Sequence, residues 1–208
     1  PGAALAAQTQ SDFPGVLFAM ALALDGDLDI ARTLWAKALD GVNRRADAIT
    51  ALEAIDPDSP FYATARGQLA WAYRREGDGA SALQVASDAI DATADRDLMV
   101  QMGDLLTTLQ RDGEAGDIFT RVIALDRARS YADWRLYLAR GAALERLGRW
   151  PEAEADLREA LRLSPDNASI MNHLGYSLID RGLRLEEGLR LISRAVAARS
   201  VSHSEAPT

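Results

Sequence analysis

Cysteine is absent from this chain of 208 residues, so disulfides and thiolate metal sites are excluded. A cysteine-free chain suits the cytoplasm and the periplasm equally, which leaves the compartment open. Histidine is scarce, with only His173 and His203. Catalytic triads and histidine-based metal sites need a placed imidazole with partners, and we expect His173 to be a helix-packing or surface residue instead. No G-x-x-x-x-G-K phosphate loop occurs, and we expect neither a cofactor nor a metal.

Long apolar runs are also missing. The most apolar stretch, residues 16–24, is far shorter than the roughly 20 residues that a bilayer requires. Asp12 and Asp25 bracket it, and no basic segment precedes it. The pattern therefore predicts a buried helix rather than the remnant of a signal peptide, and a leader removed before Pro1 stays open.

Positive charge is limited, because 23 Lys and Arg residues face 31 Asp and Glu residues and the net charge is −8. Such a balance disfavours binding to nucleic acids and anionic membranes, since both attract positive fields. Lys37 is the only lysine, and this bias toward arginine is typical of a GC-rich bacterial genome. Aromatic residues make up 6% of the chain and hydrophobic residues 48%, which suits helices packed through small side chains.

One stretch, residues 134–167, combines small and large residues at regular spacing. It reads WRLYLARGAALERLGRWPEAEADLREALRLSPDN. Small residues let helix backbones approach closely, larger ones fill the gaps, and a late proline stops the second helix. The pattern resembles the tetratricopeptide repeat, a 34-residue pair of antiparallel helices that stacks on copies of itself. Positions 8, 15, 17, 20, 24, 27 and 32 are Gly141, Gly148, Trp150, Ala153, Leu157, Ala160 and Pro165.

This resemblance covers nearly the whole chain and implies an all-α fold, a right-handed superhelical solenoid of antiparallel helix pairs with about 11 helices. We expect one solenoid over residues 1–200, with a partial unit at 1–28, and a disordered tail at 201–208. The full units are expected at 29–62, 63–95, 96–133, 134–167 and 168–200. The helices are expected at about 13–25, 28–40, 44–56, 61–76, 79–92, 96–110, 112–125, 131–147, 151–163, 168–182 and 186–198.

The frame of the N-terminal repeat has two readings. Residues 12–40 also fit a repeat of their own, with Gly26 at position 15 and Trp35 at position 24. That reading leaves the helix at 44–56 without a partner, whereas a solenoid alternates its two helix types. We therefore prefer the frame that begins at Asp29.

In tetratricopeptide arrays the first helix of each unit lines a concave groove, chiefly through positions 2, 5, 9, 12 and 13, so the resemblance implies a partner-binding surface. Trp71 stands beside Arg74 and Arg75, and these residue types are enriched at binding hot spots. The alternative is that Trp71 only covers a neighbouring helix. The candidate groove residues are Trp71, Arg74, Arg75, Asp104, Thr108, Arg135, Glu145, Arg146, Asn172, Tyr176 and Asp180.

Family members that bind chaperone tails hold a terminal carboxylate with lysines and asparagines at fixed groove positions. At the positions of the first clamp pair this chain has Thr33 and Lys37, and then Gly67 and Trp71. The clamp pattern is therefore absent. A groove of mixed charge and apolar surface suits an extended peptide or an amphipathic helix of a partner protein.

The last predicted helix has Leu189, Ile192 and Val196 on one face, where a solenoid normally has a polar cap. This pattern indicates an excised fragment of a longer bacterial repeat protein, or a face that meets a partner or a second copy of the chain.

These observations predict a non-enzymatic protein–protein interaction scaffold. Carboxylates such as Glu154, Asp156 and Glu159 lie about one helical turn from arginines, which is typical of a solvated helix face rather than a catalytic acid pair. Self-association through the last helix is the alternative function, and a hidden enzyme or small-ligand site is a third. We expect a protein partner, and neither nucleic-acid binding nor direct membrane insertion.

Overall fold

The computed structural model describes residues 17–18, 20–26 and 28–204, with side chains as far as residue 198. Within these residues the backbone forms helices and turns and no strand, which confirms the all-α fold. The chain divides into two compact units, with the boundary between Leu105 and Leu106.

The helices follow one another in pairs joined by short turns. In the first unit they are α1 (Asp29–Gly41), α2 (Arg45–Glu53), α3 (Tyr62–Arg75), α4 (Gly79–Thr93) and most of α5 (Arg96–Thr108), and residues 17–18 and 20–24 are also helical. The second unit has α6 (Asp112–Ala128), α7 (Trp134–Arg146), α8 (Trp150–Leu163), α9 (Ala168–Asp180) and α10 (Leu185–Ser204). These bounds lie close to the predicted segments.

Three of the boundaries that differ from the prediction have a local cause. Helix α2 ends at Glu53, before a turn that contains two prolines, and proline disfavours helical backbone in the residue before it. Helix α7 begins at Trp134 rather than at 131, because the Asp133 side chain accepts a hydrogen bond from the Arg135 backbone and caps the helix. The tail predicted to be disordered from 201 is helical as far as Ser204, since residues 189–204 contain no glycine or proline that would stop α10.

A residue in the left-handed conformation ends the first helix of each pair. Gly77, Gly148 and Gly182 have φ angles of +87°, +74° and +66°. Asn43 and Gln110 hold the same conformation in the other two turns, with φ angles of 66° and 58°. Glycine adopts this conformation at little steric cost, whereas glutamine loses about 1 kcal/mol. All five stand at position 15 of the predicted units, which favours this repeat frame.

Small buried residues bring the helices of the first unit together. Ala36 and Ala65 are fully buried, and Ala48 is almost so. Leu52 and Leu69 fill the space around them, and the burial of each such side chain contributes about 2 kcal/mol. The pairs α1–α2 and α3–α4 therefore share one continuous apolar core.

Glycines give the last helix pair its closest approach. A Cβ added at Gly175 would lie 2.9 Å from the Gly188 carbonyl oxygen and 3.0 Å from Ile192 Cγ1. A Cβ added at Gly188 would lie 2.7 Å from Ile179 Cγ1. Backbone packing at this distance leaves no room for a side chain at either position.

Candidate functional site

The first helices of the first unit, α1 and α3, together with α5, form a surface that we call the groove face. It contains a pocket of about 320 Å³, here called the Trp71 pocket. Trp71 is half-buried and forms one wall, while Ala36, Leu52 and Ala72 lie beneath it. The polar lining residues are Lys37, Asp40, Gln68, Arg75 and Gln101.

Most of the charge in the Trp71 pocket is compensated internally. Asp40 Oδ2 pairs with Arg75 Nη2, and Asp40 Oδ1 lies 3.5 Å from Arg45 Nε. Arg45 also lies 3.4 Å from Glu76. Lys37, by contrast, is exposed and has no ion-pair partner within the described part of the chain. One cation at the edge of the pocket therefore remains open to a ligand.

Two amide side chains, Gln68 and Gln101, line the Trp71 pocket together with the Trp71 indole. The Gln68 Oε1 atom is buried and has no hydrogen-bond partner among the described residues. The Gln101 amide from α5 lies over Gly67, where an added Cβ would overlap it. Gly67 thus makes room for Gln101 beside the pocket. Amide groups of this kind can both donate to and accept from a peptide backbone.

Three further groove candidates lie near this region of the sequence. Arg74 is half-buried, and its Nε is buried without a hydrogen-bond partner in the described structure. Asp104 is one helical turn beyond Gln101, and partial burial raises the pKa of its carboxyl above the ordinary value. Thr108 belongs to the second unit and is not a lining residue of the Trp71 pocket.

In the second unit, the candidate Glu145 is held by its neighbours. Its Oε2 lies 2.8 Å from His173 Nε2, and its Oε1 accepts a hydrogen bond from Arg181 Nη2 at 3.1 Å. Burial alone raises the pKa of Glu145, but hydrogen bonds from His173, Ser177 and Arg181 outweigh it and lower the pKa below the ordinary value. His173 therefore joins two helices, as a helix-packing histidine would.

The other candidates of the second unit are divided between internal contacts and solvent. Arg146 pairs with Asp112 at 2.7 Å, and Arg135 stacks over the Trp134 ring at 4.8 Å. Tyr176, by contrast, is 66% exposed. The two candidates beside it on α9 are Asn172, which is half-buried, and Asp180, which is exposed.

A second cavity, of about 520 Å³, lies among α6, α7 and α8. At its base, Arg140 Nε and Nη2 each donate to the Asp156 carboxylate at 2.7 Å, and Arg140 Nη1 donates to Thr120 Oγ1 at 3.1 Å. Asp156 is buried, so its assignment to a solvated helix face is wrong. Its partner comes from another helix, and spacing within one helix could not indicate that contact.

The apolar face of α10 is only partly open. Leu189 is 59% exposed and Val196 is 60% exposed. Ile192 is half-buried, and its side chain packs against Gly175. Two of the three residues predicted for self-association are therefore accessible in this unit.

Gln68 and Gln101 are lining residues that the sequence analysis missed. Both occupy position 6 of their units, next to the position 5 that was mapped. The repeat register therefore contained the signal, because the same residue type recurs at the same position of successive repeats.

The described residues form no helix that is long and apolar enough to cross a membrane. They contain no group of three or more histidine, cysteine or acidic residues arranged to hold a metal ion.

Comparisons with solved structures concern the fold. MamA AMB-1 has 20% sequence identity and a TM-score of 0.65, and the match covers 81% of this chain and 98% of that chain. A double mutant of MamA RS-1 has 15% sequence identity and a TM-score of 0.70, and the match covers 92% of this chain and 98% of that chain. YrrB, described as a TPR protein with an unusual peptide-binding site, has 21% identity and a TM-score of 0.63, with coverage of 88% and 92%. No curated protein sequence matches the chain.

Two family profiles, both described as tetratricopeptide repeat, match the sequence. One covers residues 134–167, the stretch with the most regular spacing, and the other covers residues 33–97, which include Lys37 and Trp71. Their matches agree with the paired helices and with the structural neighbours. The chain therefore contains tetratricopeptide repeats, the helical repeat of protein-interaction scaffolds, over residues 33–97 and 134–167.

Proposed function

We propose that the groove face of the first unit binds a peptide or helix segment of a partner protein, with Trp71 as the main anchor. The observation that carries this proposal is the half-buried indole of Trp71 in a pocket of about 320 Å³. Buried apolar atoms lie beneath the indole, while charged and amide groups surround it. This is the arrangement of a binding hot spot, in which an aromatic anchor is surrounded by polar groups.

The polar groups of the Trp71 pocket support the same proposal. Arg75 is fixed by Asp40, so its guanidinium is oriented before a ligand arrives. Gln68 and Gln101 offer hydrogen bonds that suit a peptide backbone. A site that is already ordered loses less conformational entropy when it binds.

In the second unit, Tyr176 is the proposed contact on the same type of helix. Its ring is 66% exposed, and Asn172 lies one helical turn before it. Glu145 is held by His173 and Arg181, so we assign it a structural role rather than a binding role.

The test uses a random twelve-residue peptide library displayed on phage and selected on the wild-type chain. Selected peptides are then synthesised, and their affinity is measured by fluorescence anisotropy. Trp71→Ala is expected to weaken binding by about 30-fold, corresponding to about 2 kcal/mol for a hot-spot aromatic. The matched control is Trp134→Ala, which removes another half-buried tryptophan outside the Trp71 pocket. Equal affinity of both variants for every selected peptide would refute the proposal.

Self-association through α10 is the second candidate function. Leu189 and Val196 are two turns apart on α10, and each is more than half exposed. A second copy of the chain could bury both side chains in an isologous contact. Sedimentation velocity at increasing concentration should show a dimer that Leu189→Glu abolishes. A monomer at all concentrations would exclude this function for the chain.

A further inference from the structure

The ion pairs at the Trp71 pocket leave a surplus of positive charge. Within the described structure they join Asp40 to Arg75 and Arg45, and Arg45 to Glu76. Together with Lys37, which also lines the pocket, these residues comprise three cations and two carboxylates. The surplus acts locally, because charges farther away than about 8 Å are largely screened at physiological salt. A patch of positive charge therefore lies here in a chain whose net charge is −8.

The surplus charge belongs to Lys37. Its side chain lines the pocket from α1, is exposed, and pairs with no carboxylate of the described residues. Asp40 lies about one helical turn further along α1, but one of its oxygens pairs with Arg75 and the other lies 3.5 Å from Arg45. An ammonium group has three donors and no acceptor, so the carboxylate of a ligand is a natural partner for it.

The remaining lining of the pocket is neutral. Trp71 provides the aromatic wall, Gln68 and Gln101 provide amides, and the other lining residues are alanines and one leucine. A preference for one sign of ligand charge therefore depends on Lys37.

Lys37 and Trp71 lie side by side in the repeat register. Both occupy position 9 of their units, on α1 and α3. Packed helices lie about 8–10 Å apart, and residues two apart in an extended chain share one face at a separation of about 6.6 Å. The flexible four-carbon stem of lysine covers the difference. An extended ligand can therefore contact both side chains with residues that are two positions apart.

We infer that the Trp71 pocket selects an extended segment of a partner protein in which an acidic side chain stands two residues from an apolar or aromatic one. The acidic side chain pairs with Lys37, and the apolar one packs on Trp71. The carboxylate belongs to a side chain rather than to a chain end, because Lys37 is exposed and a bound chain can continue past it. This inference rests on the proposed function, because it names the partner chemistry of the same pocket.

The first test repeats the phage selection in parallel on the wild-type chain and on Lys37→Gln. Lys37 is an exposed helical residue, and glutamine has a similar helix propensity, so the variant is expected to fold. Peptides with Asp or Glu two residues from Trp, Phe or Leu should be at least about twofold more frequent in the wild-type set. Equal frequencies in the two sets would overturn the inference.

A double-mutant cycle then locates the contact. It uses one selected peptide with acetylated and amidated ends and its Asp→Asn counterpart. Lys37→Gln should weaken the Asp peptide about threefold and leave the Asn peptide unchanged. Arg44→Gln is the matched control, since Arg44 is an exposed cation outside the pocket and the net charge changes equally. Equal losses for the two peptides, or for the two variants, would refute a contact at Lys37.

The single lysine also permits a test by chemical modification. Acetylation removes the charge of a lysine, whereas reductive methylation keeps it. Acetylation of the wild-type chain should weaken the Asp peptide about threefold, and methylation should not. Acetylated Lys37→Arg is the control for the terminal amine, because arginine keeps its charge and does not react. A loss of the same size in this control would overturn the assignment to Lys37.

Two further outcomes are decisive. Tighter binding of a peptide that ends in a free carboxylate at the acidic position would overturn the side-chain carboxylate. Binding that depends on Trp71 but responds neither to Lys37 nor to the peptide Asp would refute this inference and leave the proposed function intact. The absence of any binding that depends on Trp71 would refute both.

Discussion

At the scale of single residues, Arg140 and Asp156 form a largely buried ion pair in the second unit. Two hydrogen bonds of 2.7 Å join the guanidinium to the carboxylate, and Thr120 accepts a third from Arg140. The side chains are only 18% and 9% exposed, so either charge alone would be poorly solvated. Each of the two charges is therefore stabilised mainly by the other.

Removal of one member of this pair should be costly. Asp156→Ala leaves the Arg140 charge buried and is expected to lower the free energy of unfolding by about 3 kcal/mol. Glu159→Ala breaks the more exposed pair with Arg162 and should cost less than about 1 kcal/mol. Urea denaturation measures both. Equal losses for the two variants would contradict the structural role of the buried pair.

Glu145 gives the protein a contribution to stability that depends on pH. The pKa of this carboxyl is lowered in the folded chain, because hydrogen bonds from His173, Ser177 and Arg181 outweigh burial. The folded state therefore binds its proton less readily than the unfolded state, and the contribution is complete above the ordinary value of 4.5. It is lost as the pH falls through the lower folded pKa.

The corresponding variant is Glu145→Gln. At neutral pH it should lower the free energy of unfolding by about 1 kcal/mol, and this difference should shrink below pH 4.5. Urea titrations at a series of pH values measure it. Glu186→Gln is the control, because Glu186 is almost fully exposed and lies 3.8 Å from Arg190. A difference that grows in acid would contradict the account.

At the scale of helices, the repeat pattern predicted the elements well because it reflects their packing. Positions 8 and 20 were expected to be small. In the last pair, Gly175 at position 8 is at backbone contact with Gly188, which takes the role of position 20 because the turn contains one extra residue. Side-chain partners were predicted less well. The repeat register made Glu145 a groove candidate, but in the structure its carboxylate contacts His173 and Arg181. Spacing within one helix could not indicate these contacts with another helix.

Two glycines on helices allow a matched test of this packing. Gly188→Ala should destabilise the chain by about 2 kcal/mol, because the added methyl would overlap Ile179 and the Gly175 carbonyl. Gly116→Ala, on α6, should instead stabilise it by about 0.5–1 kcal/mol, since no described atom outside its own helix turn lies within 4 Å of the new Cβ. Thermal denaturation followed by circular dichroism measures both. Destabilisation by both variants would show that helix propensity does not explain the difference.

At the scale of the whole molecule, the proposed function depends on which side chains the packed helices leave exposed. The chain is acidic, with a net charge of −8, yet its only lysine lies at the Trp71 pocket and pairs with no carboxylate of the described residues. Sequence register could indicate the face on which Trp71 lies. It could not indicate that Asp40 would neutralise Arg75 and leave Lys37 as the open cation, because that outcome depends on contacts between helices.

The most direct measurement is a nuclear magnetic resonance titration of the wild-type chain with a peptide selected from the library. The chain has four tryptophans, and each indole N–H gives its own signal. The account predicts that the Trp71 signal shifts in proportion to the bound fraction, while the Trp134 and Trp150 signals stay in place. A bound peptide that leaves the Trp71 signal unmoved would contradict the assignment of the Trp71 pocket as the binding site.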